Sequence, residues 1–494
     1  MMPEAIIGLD VGTTVTKAVL FDLSGAELNV ADQATYLHTP QPDWAELEPE
    51  DLWQAVVAVL RAIAEQATPG TRIRAVALAT QGGTLIPCRA DGTPTHRAIT
   101  WLDGRTQDLA ACWQAEGVAD QVRRISGWSL QPGLPLLSIG WLRQARPEVF
   151  AATERFLSVN DFVAQRLTGR PATNPTMAGE MLLTDLATGQ WSETLCHLVG
   201  IGAEHLSPIL PSGTSMGPIR PEVSNLTGLL AETLVVNGGQ DHACEALALG
   251  MTSAGEGLLA CGTAWVINGI IESPAVDAVP ASTDLNPHVV PGRWVVSQFL
   301  GGLGGCLEWW LNQCGQQTSR ARAESWAAFN TELAKTAPGC GGLVYLPQTG
   351  VRQVPDSPRH GGLAGLRLDH SRADVGRAIL EGAAYELRWA LEGLSATGLA
   401  IDELWMIGGA AQSPFWPQIV ADVSGLPVLL SSYTHGPALG AAILAGVGLG
   451  LFDSLEAAQA CFRVSARRIE PDGTHTPVYE RQFAAYQQLA RELT

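Results

Sequence analysis

Positive charge is scarce in this 494-residue sequence, in which lysine occurs only as Lys17 and Lys335. Thirty lysines and arginines stand against 49 aspartates and glutamates, so the formal net charge at neutral pH is −19. A chain this acidic repels the phosphates of nucleic acids and of anionic membrane surfaces. The composition therefore argues against those two partner classes, but it leaves open a small anion held by local backbone N–H groups.

Processing and membrane signals are also missing. The first ten residues, MMPEAIIGLD, contain no basic region followed by an apolar core, so no signal peptide is predicted. The nine cysteines form no CxxC pair, which predicts reduced thiols and no zinc site. The longest apolar stretch, 436–452, has 17 residues with five glycines and predicts a buried helix, not a membrane span. We therefore expect a cytoplasmic protein.

Two domains are expected, because 494 residues are too many for one compact hydrophobic core. Strand-like and helix-like segments alternate in the first half. Apolar runs at 6–9 and 18–21 predict a hairpin, apolar residues recur at helical spacing over 50–67, and 73–81 is again strand-like. This alternation predicts an α/β fold.

The second half of the sequence repeats the opening pattern. Residues 255–271 again consist of an apolar run, a Gly-Thr pair and a second apolar run. The pattern predicts two related domains, 1–250 and 251–494, each opening with a strand–turn–strand hairpin. A chance pairing of two ordinary hairpins remains the alternative.

Familiar nucleotide-binding fingerprints are lacking. No GxxxxGK[ST] occurs, and the GxGxxA match that begins at Gly255 precedes a strand, where a dinucleotide site would need a helix. The turn after Asp10 is the better candidate, because its backbone N–H groups and threonine hydroxyls can hold phosphate oxygens. Asp10 could hold Mg²⁺ through water, and Lys17 adds positive charge. The alternative is a plain hairpin whose polar residues cap the turn.

Asp241 follows a strand that ends in a glycine pair, within residues 235–250. It opens a predicted helix there. An aspartate in that position serves either as the helix N-cap or as a general base at the mouth of a cleft.

A third strand, within residues 403–428, ends in Gly408-Gly409. A glycine pair lets a flat ring lie close to the backbone. Ser413 at an N-cap position and Pro414 in the first turn predict that a helix starts here. An ordinary strand–loop–helix connection explains the same residues.

Nine segments from about residue 6 to 450 carry the most specific pattern when they are taken together in this order and spacing. They are GLDVGTTVTKAVLFD, WAELEPEDLW, AITWLDGR, NDFVAQRLTGRPATNPT, GGQDHACEALALG, ACGTAW, GLAGLRLDHSRADVGRAILEGAAYEL, IGGAAQSPFWPQIVADVSGLPV and GPALGAAILA. The ordered set resembles the FGGY carbohydrate kinases, the family that contains xylulokinase, gluconokinase and glycerol kinase.

The resemblance implies both a fold and a chemistry. The fold is α/β, with two ribonuclease-H-like domains of the actin and sugar-kinase type flanking an active-site cleft. ATP and Mg²⁺ are the implied cofactors, Asp241 the implied catalytic base, and Asp10 the carboxylate that supports Mg²⁺ through water. The residues implied for ATP are Thr13, Thr14, Lys17, Gly262, Thr263, Gly305, Gly409, Ala410 and Ser413.

The resemblance places the acceptor sugar around Gln81, Gly82, Gly83, Asp103 and His242, beside the base. Gly82 and Gly83 stand where xylulokinases carry Met and His and where glycerol kinases carry Arg and Glu. We therefore expect a pocket with added room or water. Asp103 matches a residue beside the sugar in xylulokinase-like members, and His242 replaces the usual Asn or Gln.

The predicted reaction is ATP-dependent phosphorylation of a sugar hydroxyl, with D-xylulose to D-xylulose 5-phosphate as the favoured case. Ribulose, gluconate, a longer ketose or a polyol stay open as acceptors. A non-catalytic actin-like nucleotide switch is the alternative from another class, and Asp241 argues against it because a switch needs no proton acceptor. The predicted partners are a small sugar or polyol and ATP, and a homodimer is compatible with the resemblance.

Two further residues match family positions. The segment around Arg352 resembles the family's Gly-x-Arg-x-Pro loop, and Trp44 is predicted to be a packing residue.

Overall fold

The computed structural model describes residues 3–314, 328–347, 361–431 and 433–493. Its strands are β1 (Glu4–Val11), β2 (Val15–Asp22), β3 (Glu27–Ala34), β4 (Glu46–Leu47), β5 (Arg72–Thr80), β6 (Ile86–Cys88), β7 (Ala98–Ile99), β8 (Arg155–Leu157), β9 (Thr184–Asp185), β10 (Gln190–Trp191), β11 (Ser215–Pro218), β12 (Leu234–Gln240), β13 (Glu256–Cys261), β14 (Trp265–Ile271), β15 (Asp284–Pro287), β16 (Trp294–Gly301), β17 (Val344–Leu346), β18 (Gly362–Ala364), β19 (Glu403–Ile407), β20 (Val428–Ser431) and β21 (Ala466–Ile469). Its helices are α1 (Pro49–Gln66), α2 (Gln107–Ala115), α3 (Val118–Ser126), α4 (Pro135–Ala145), α5 (Pro147–Ala152), α6 (Val159–Thr168), α7 (Pro175–Glu180), α8 (Glu193–Val199), α9 (Pro221–Thr227), α10 (Asp241–Ala248), α11 (Leu303–Cys314), α12 (Arg372–Ala396), α13 (Trp416–Ser424), α14 (Gly436–Gly448), α15 (Leu455–Cys461) and α16 (Thr476–Glu492).

The first large sheet is built around the predicted opening hairpin. β1 and β2 pair antiparallel, with Asp10 opposite Lys17. β5 joins β1 in parallel, and β12 joins β5 in parallel, so the strand order is β11-β12-β5-β1-β2-β3. The carboxyl ends of β1, β5 and β12 therefore meet at one edge of the sheet, which brings Asp10, Gln81 and Asp241 to the same place.

The second large sheet repeats this arrangement. β13 and β14 form an antiparallel hairpin, and β19 and β20 add in parallel on the side of β13. The order is β15-β16-β14-β13-β19-β20-β21, in which a hairpin and a third antiparallel strand again lie beside two parallel strands. The predicted pair of strand–turn–strand hairpins is confirmed.

Helices cover both faces of the first sheet, as its apolar strands require. Alternate residues of β1 point to opposite faces, so Ile7 packs into the core under α1 while Ile6 packs into the core under α14. The helix predicted over 50–67 is α1, which buries Leu52, Val56 and Leu60 at helical spacing. The alternation read from the sequence is confirmed here.

The apolar segment predicted as a buried helix is α14, and it packs on the first sheet although it comes from the second half of the chain. A Cβ atom on Gly8 of β1 would lie 2.0 Å from the Ala438 carbonyl oxygen. A Cβ atom on Gly440 would lie 1.9 Å from the carbonyl oxygen of Cys244 in α10. These two glycines allow α14 to approach β1 and α10 closely.

The predicted domain boundary between residues 250 and 251 stays a prediction. Within the described ranges, no helix has the length and apolarity to cross a membrane.

Candidate active site

A first cavity, of about 270 Å³, opens between the two large sheets. Its walls come from loops at the edge of the first sheet, from α7 and α10, and from β13 to β16 of the second sheet. The lining residues are Thr13, Gln81, Gly82, Gly83, Trp101, Trp128, Gln131, Leu134, Glu180, Gln240, Asp241, His242, Ala243, Ala246, Leu258, Val266, Asn268, Asp284, Asn286, Pro287, Val295, Ser297 and Phe299.

The turn between β1 and β2 reaches this cavity through Thr13. The Gly12 N–H donates to the Val15 carbonyl at 3.1 Å, which closes the turn. The Thr13 hydroxyl donates to Gln81 Oε1 at 2.7 Å and accepts from Trp101 Nε1 at 3.1 Å. Thr13, predicted for ATP, and Gln81, predicted for the sugar, are therefore hydrogen-bonded to each other, while the neighbouring Thr14 is exposed.

Asp241 is the first residue of α10, and the N-cap residue of this helix is Gln240, not Asp241. Gln240 Oε1 accepts from the Ala243 N–H at 3.0 Å, and the Gln240 N–H donates to the Thr176 hydroxyl at 2.8 Å. The interpretation of Asp241 as an N-cap is therefore wrong. Its Oδ1 accepts from Gln240 Nε2 at 2.5 Å and from the His242 N–H at 2.7 Å, and its carboxylate lines the first cavity.

Four carboxyl groups at this edge of the first sheet, those of Asp10, Glu180, Asp241 and Glu245, interact electrostatically through Asp241. Burial, followed by the charge of Asp241, raises the pKa of Asp10 to about 8, and Lys17 opposes the shift. Burial also raises the pKa of Glu245 to about 7, and it raises that of Glu180, together with Asp241, to about 8. A cation or a hydrogen-bond donor brought to this edge would relieve the repulsion.

The expectation that two glycines enlarge the pocket is wrong. A Cβ atom on Gly82 would lie 1.3 Å from Glu180 Oε2, so the carboxyl group at the end of α7 already fills that space. Gly83 has a φ of +65°, and a Cβ atom there would lie 2.9 Å from Leu134 Cδ2 and from Trp101 Cβ. Glu180 is a functional candidate that sequence reasoning missed, because α7 and the loop at 82–83 are far apart in the chain.

Asp103 does not line the first cavity, which corrects its prediction as a sugar contact. Its Oδ2 accepts from the Ala45 N–H at 2.6 Å, and its Oδ1 accepts from Arg105 Nε at 2.7 Å. The Arg105 guanidinium lies 3.7 Å over the Trp44 ring, which meets Trp141 edge-on at 5.5 Å. Asp103 thus orders a buried ion pair, and the prediction that Trp44 is a packing residue is confirmed.

A second cavity, of about 370 Å³, lies at the turn between β13 and β14. All five residues predicted for the adenosine site and the second phosphate site line this cavity. The lining residues are Cys261, Gly262, Thr263, Gly304, Glu308, Asn330, Gly409, Ala410, Gln412, Ser413, Pro414 and Trp416. The hairpin β13–β14 contributes residues to both cavities.

Gly304 and Gly305 contact the turn between β13 and β14. A Cβ atom on Gly304 would lie 2.1 Å from the Gly262 carbonyl oxygen, so only glycine fits. The Gly305 N–H donates to the Thr263 carbonyl at 3.1 Å. Gly305 was predicted to offer a backbone contact to the phosphates, and this is corrected, because its N–H is engaged by the turn itself.

The helix after β19 begins later than predicted. α13 starts at Trp416, with Phe415 as the N-cap residue, and not at Pro414. The Ser413 hydroxyl nevertheless accepts from the N–H groups of Phe415 and Trp416, at 3.3 and 3.2 Å. Gly409 has no atom within 4 Å of its Cβ direction, which leaves the space over it open.

Several buried polar atoms around the first cavity have no partner among the described residues. They are Gln81 Nε2, Trp128 Nε1, Asn268 Nδ2 and Asn286 Oδ1. Buried polar groups without partners are costly, so this set favours a polar ligand. Trp128, Asn268 and Asn286 had no signal in the sequence, because each stands alone in an otherwise ordinary segment. Arg352, in the predicted Gly-x-Arg-x-Pro loop, lies outside the described residues.

Comparison with protein-family models covers nearly the whole chain. The N-terminal domain of the FGGY family of carbohydrate kinases matches residues 5–248, and the C-terminal domain of that family matches residues 257–449. Among curated relatives, the chain is 28% identical to L-xylulose/3-keto-L-gulonate kinase of Escherichia coli, over 100% of this chain and 98% of the relative. It is 28% identical to xylulose kinase of Bacillus subtilis, over 98% and 96%.

A solved structure shares the same fold. The xylulose kinase of Rhodospirillum rubrum superimposes with a TM-score of 0.92 at 29% identity, over 99% of both chains. This likeness confirms the predicted fold class, an α/β protein with two sheet-containing domains of the actin and sugar-kinase type.

Proposed function

The chain belongs to the FGGY family of carbohydrate kinases, and from this premise we propose that it transfers the γ-phosphoryl group of ATP to a hydroxyl group of a ketose. One observation carries the proposal. Asp241, released from helix capping by Gln240, presents its carboxylate to the first cavity, and the β13–β14 hairpin contributes residues to both this cavity and the second one. The same hairpin thus connects a site that holds a proton acceptor with a site that can hold a nucleotide.

ATP occupies the second cavity in this proposal. Adenosine lies in the open space over Gly409 and against Ala410 and Ser413. Gly262 and Thr263 hold the phosphates from one side, through a turn that Gly304 and Gly305 keep in place. Thr14 and Lys17, on the turn of the first sheet, hold them from the other side.

The acceptor sugar occupies the first cavity and reacts through one hydroxyl group. Asp241 accepts the proton of that hydroxyl while its oxygen forms a bond to the γ-phosphorus, and the bond from phosphorus to the ADP oxygen breaks. The hydrogen bonds from Gln240 and from the His242 N–H hold the carboxylate in position. His242 lines the same wall and can contact a sugar hydroxyl.

Asp10 fits the prediction of a water-mediated Mg²⁺ contact. Its carboxyl lies near Asp241 in a field that a divalent cation would relieve. Within the part of the chain that the structure describes, no three His, Cys, Asp or Glu side chains are placed to hold a metal directly, so Asp10 would act through water and the phosphates would supply further oxygens. Mg²⁺, when bound, neutralises charge on the phosphates.

D-xylulose is the acceptor that we propose. Two of the three similar proteins above are named xylulose kinases, and the third name includes L-xylulose. The unpaired polar atoms of the first cavity suit the hydroxyl groups of a five-carbon ketose.

The test measures ADP release with Mg²⁺ and ATP against D-xylulose, L-xylulose, D-ribulose, glycerol and D-gluconate. We expect turnover that requires an acceptor, with kcat/KM for D-xylulose about tenfold or more above that for glycerol, since glycerol leaves buried polar groups unpaired. A rate that no acceptor raises above the sugar-free value would contradict the kinase proposal and favour the nucleotide switch. A higher kcat/KM for another acceptor would reassign the substrate and leave the mechanism in place.

A further inference from the structure

Thr13, on the turn between β1 and β2, is joined through its side chain to the wall of the first cavity. Its hydroxyl donates to Gln81 Oε1 at 2.7 Å and accepts from Trp101 Nε1 at 3.1 Å. All three residues line the first cavity and are absent from the described lining of the second. A turn that was expected to hold phosphate therefore also takes part in the cavity proposed for the sugar.

The backbone on both sides of this contact is anchored. Thr35, the residue after β3, donates its hydroxyl to the Thr13 carbonyl and its N–H to the Thr14 carbonyl, each at 2.8 Å. The Gln81 N–H donates to the carbonyl of Val11, the last residue of β1, at 2.9 Å. Thr13 and Gln81 are thus both fixed to the ends of neighbouring strands, so their side chains meet without rearrangement of the main chain.

The direction of each hydrogen bond follows from the groups involved. An indole N–H can only donate, so the Thr13 oxygen accepts from Trp101, and the single hydroxyl proton of Thr13 goes to Gln81. The Thr84 hydroxyl also donates to Gln81 Oε1, at 3.2 Å. Gln81 therefore turns its carbonyl oxygen towards the two threonines and its Nε2 group away from them.

Gln81 Nε2 carries N–H donors that no described residue accepts. The residue is only 2% exposed, and a buried donor without a partner is unfavourable until a ligand accepts from it. Because an N–H group only donates, the ligand atom must have a lone pair, as the oxygen of a hydroxyl, carbonyl or carboxylate group does. The contact therefore requires an oxygen atom of the acceptor, whichever of these groups carries it.

The same hydrogen bonds make the Thr13 hydroxyl a poor phosphate ligand. Ionised phosphate oxygens only accept, and the one proton that Thr13 can donate is already given to Gln81. A phosphate contact would break this bond and release the Gln81 amide. The neighbouring Thr14 is exposed, so the turn can still meet phosphates through that residue.

We propose that Thr13 is a positioning residue of the acceptor site, whose hydroxyl fixes the Gln81 amide so that Nε2 binds an oxygen of the acceptor. The proposal rests on the proposed kinase function, and it assigns Thr13, which was predicted for ATP, to the sugar. The turn between β1 and β2 then serves both substrates. Thr13 orients Gln81 for the acceptor, while Thr14 and Lys17 meet the phosphates.

The test measures equilibrium binding to the full chain by calorimetry, with D-xylulose, xylitol, D-xylonate and Mg²⁺–ADP as separate ligands. The first three are five-carbon probes that carry a carbonyl group, hydroxyl groups alone, or a carboxylate. The probe that wild type binds most tightly is then used with every variant.

The variants separate the hydroxyl group of Thr13 from the rest of its side chain. Thr13→Val replaces the hydroxyl by a methyl group at nearly constant shape, and Thr13→Ser keeps the hydroxyl. Thr68→Val is the matched control, because Thr68 is exposed and is absent from the described lining of both cavities. Thermal melts check that each variant is folded.

Thr13→Val is expected to weaken binding of the five-carbon probe about tenfold, because Gln81 loses the donor that holds its amide. Thr13→Ser should bind the probe within about twofold of wild type, and Thr68→Val should match wild type. The affinity for Mg²⁺–ADP should change by less than about twofold in all three. In a Gln81→Met background, Thr13→Val should cause no further loss, since the amide that it orients is gone.

Unchanged probe affinity in folded Thr13→Val, or a loss that Thr13→Ser does not restore, would overturn the proposal. So would a fall in Mg²⁺–ADP affinity as large as the fall for the probe, because the hydroxyl would then serve the phosphates. If Thr13→Val does not fold, Gln81→Met alone decides, and wild-type probe affinity in that variant overturns the proposal.

The binding measurements keep this inference separable from the kinase proposal. If a probe binds but no acceptor supports ADP release, the kinase proposal fails, and the affinities of the Thr13 variants still decide the role of Thr13. If wild type binds none of the three probes, the assignment of Thr13 to an acceptor site is overturned.

Discussion

Asp241→Asn is expected to lower kcat for acceptor-dependent ADP release by about 10²–10⁴-fold, because the carboxamide cannot accept the hydroxyl proton. The substitution preserves the shape of the side chain, and Gln240, not Asp241, caps α10. We therefore expect the fold to be retained and the KM for ATP to change little. The measurement is steady-state ADP release at saturating acceptor and ATP, together with a thermal melt.

Asp108→Asn is the matched control, since Asp108 is an exposed carboxylate in the first turn of α2 and does not line either cavity. Its kcat should equal that of wild type. Acceptor-dependent turnover that survives in Asp241→Asn at the wild-type rate would remove Asp241 as the base. A loss of activity that comes with a loss of folding would point to a structural role.

Gly440→Ala is expected to reduce the free energy of unfolding by about 1–3 kcal/mol or more, because its new methyl group cannot be accommodated. The Cβ atom would lie 1.9 Å from the Cys244 carbonyl oxygen, which belongs to the backbone of α10. α14 and α10 would have to separate, and both pack on the first sheet next to Asp241. Urea unfolding of the wild type and the variant measures the change.

Gly393→Ala provides a control of the same chemistry with the opposite sign. Gly393 lies inside α12, and no atom is within 4 Å of its Cβ position. Alanine in an open helical position stabilises by about 0.5–1 kcal/mol relative to glycine. If Gly440→Ala were as stable as Gly393→Ala, α14 would not lie against α10 as described.

Elements with a local signature could be predicted from the sequence. The two hairpins follow from apolar runs that flank a glycine-threonine turn, and α1 follows from apolar residues at helical spacing. The apolar composition of α14 predicted burial but could not say against which surface. Its place on the first sheet depends on Gly8 and Gly440, which meet backbone atoms from distant parts of the chain.

The candidate site divides in the same way. Residues on ordered motifs, such as Asp241, Thr263 and Ser413, line one or the other of the two cavities, and their roles toward sugar and ATP stay predictions. The predictions for Asp103 and Gly305 are wrong, because distant segments of the chain occupy their polar atoms. Asp103 accepts from the Ala45 N–H, and the Gly305 N–H donates to the Thr263 carbonyl. Motif position alone could not show that their polar atoms are already used.

Glu180 is a cavity residue that no motif predicted. The glycine at 82 suggested open space when it was compared with the side chains of known kinases. The space is filled from α7, about a hundred residues later in the chain. A missing side chain therefore does not predict a larger pocket unless the neighbouring segment is known.

The central claim is that the second cavity holds ATP and the first cavity holds an acceptor sugar, with Asp241 at the reacting hydroxyl. A crystal structure with Mg²⁺, a non-hydrolysable ATP analogue and D-xylulose tests it most directly. We expect adenosine beside Gly409 and Ser413, and a sugar hydroxyl about 2.6–3.2 Å from the Asp241 carboxylate. A nucleotide bound outside the second cavity, or a sugar with no hydroxyl within reach of Asp241, would contradict the account.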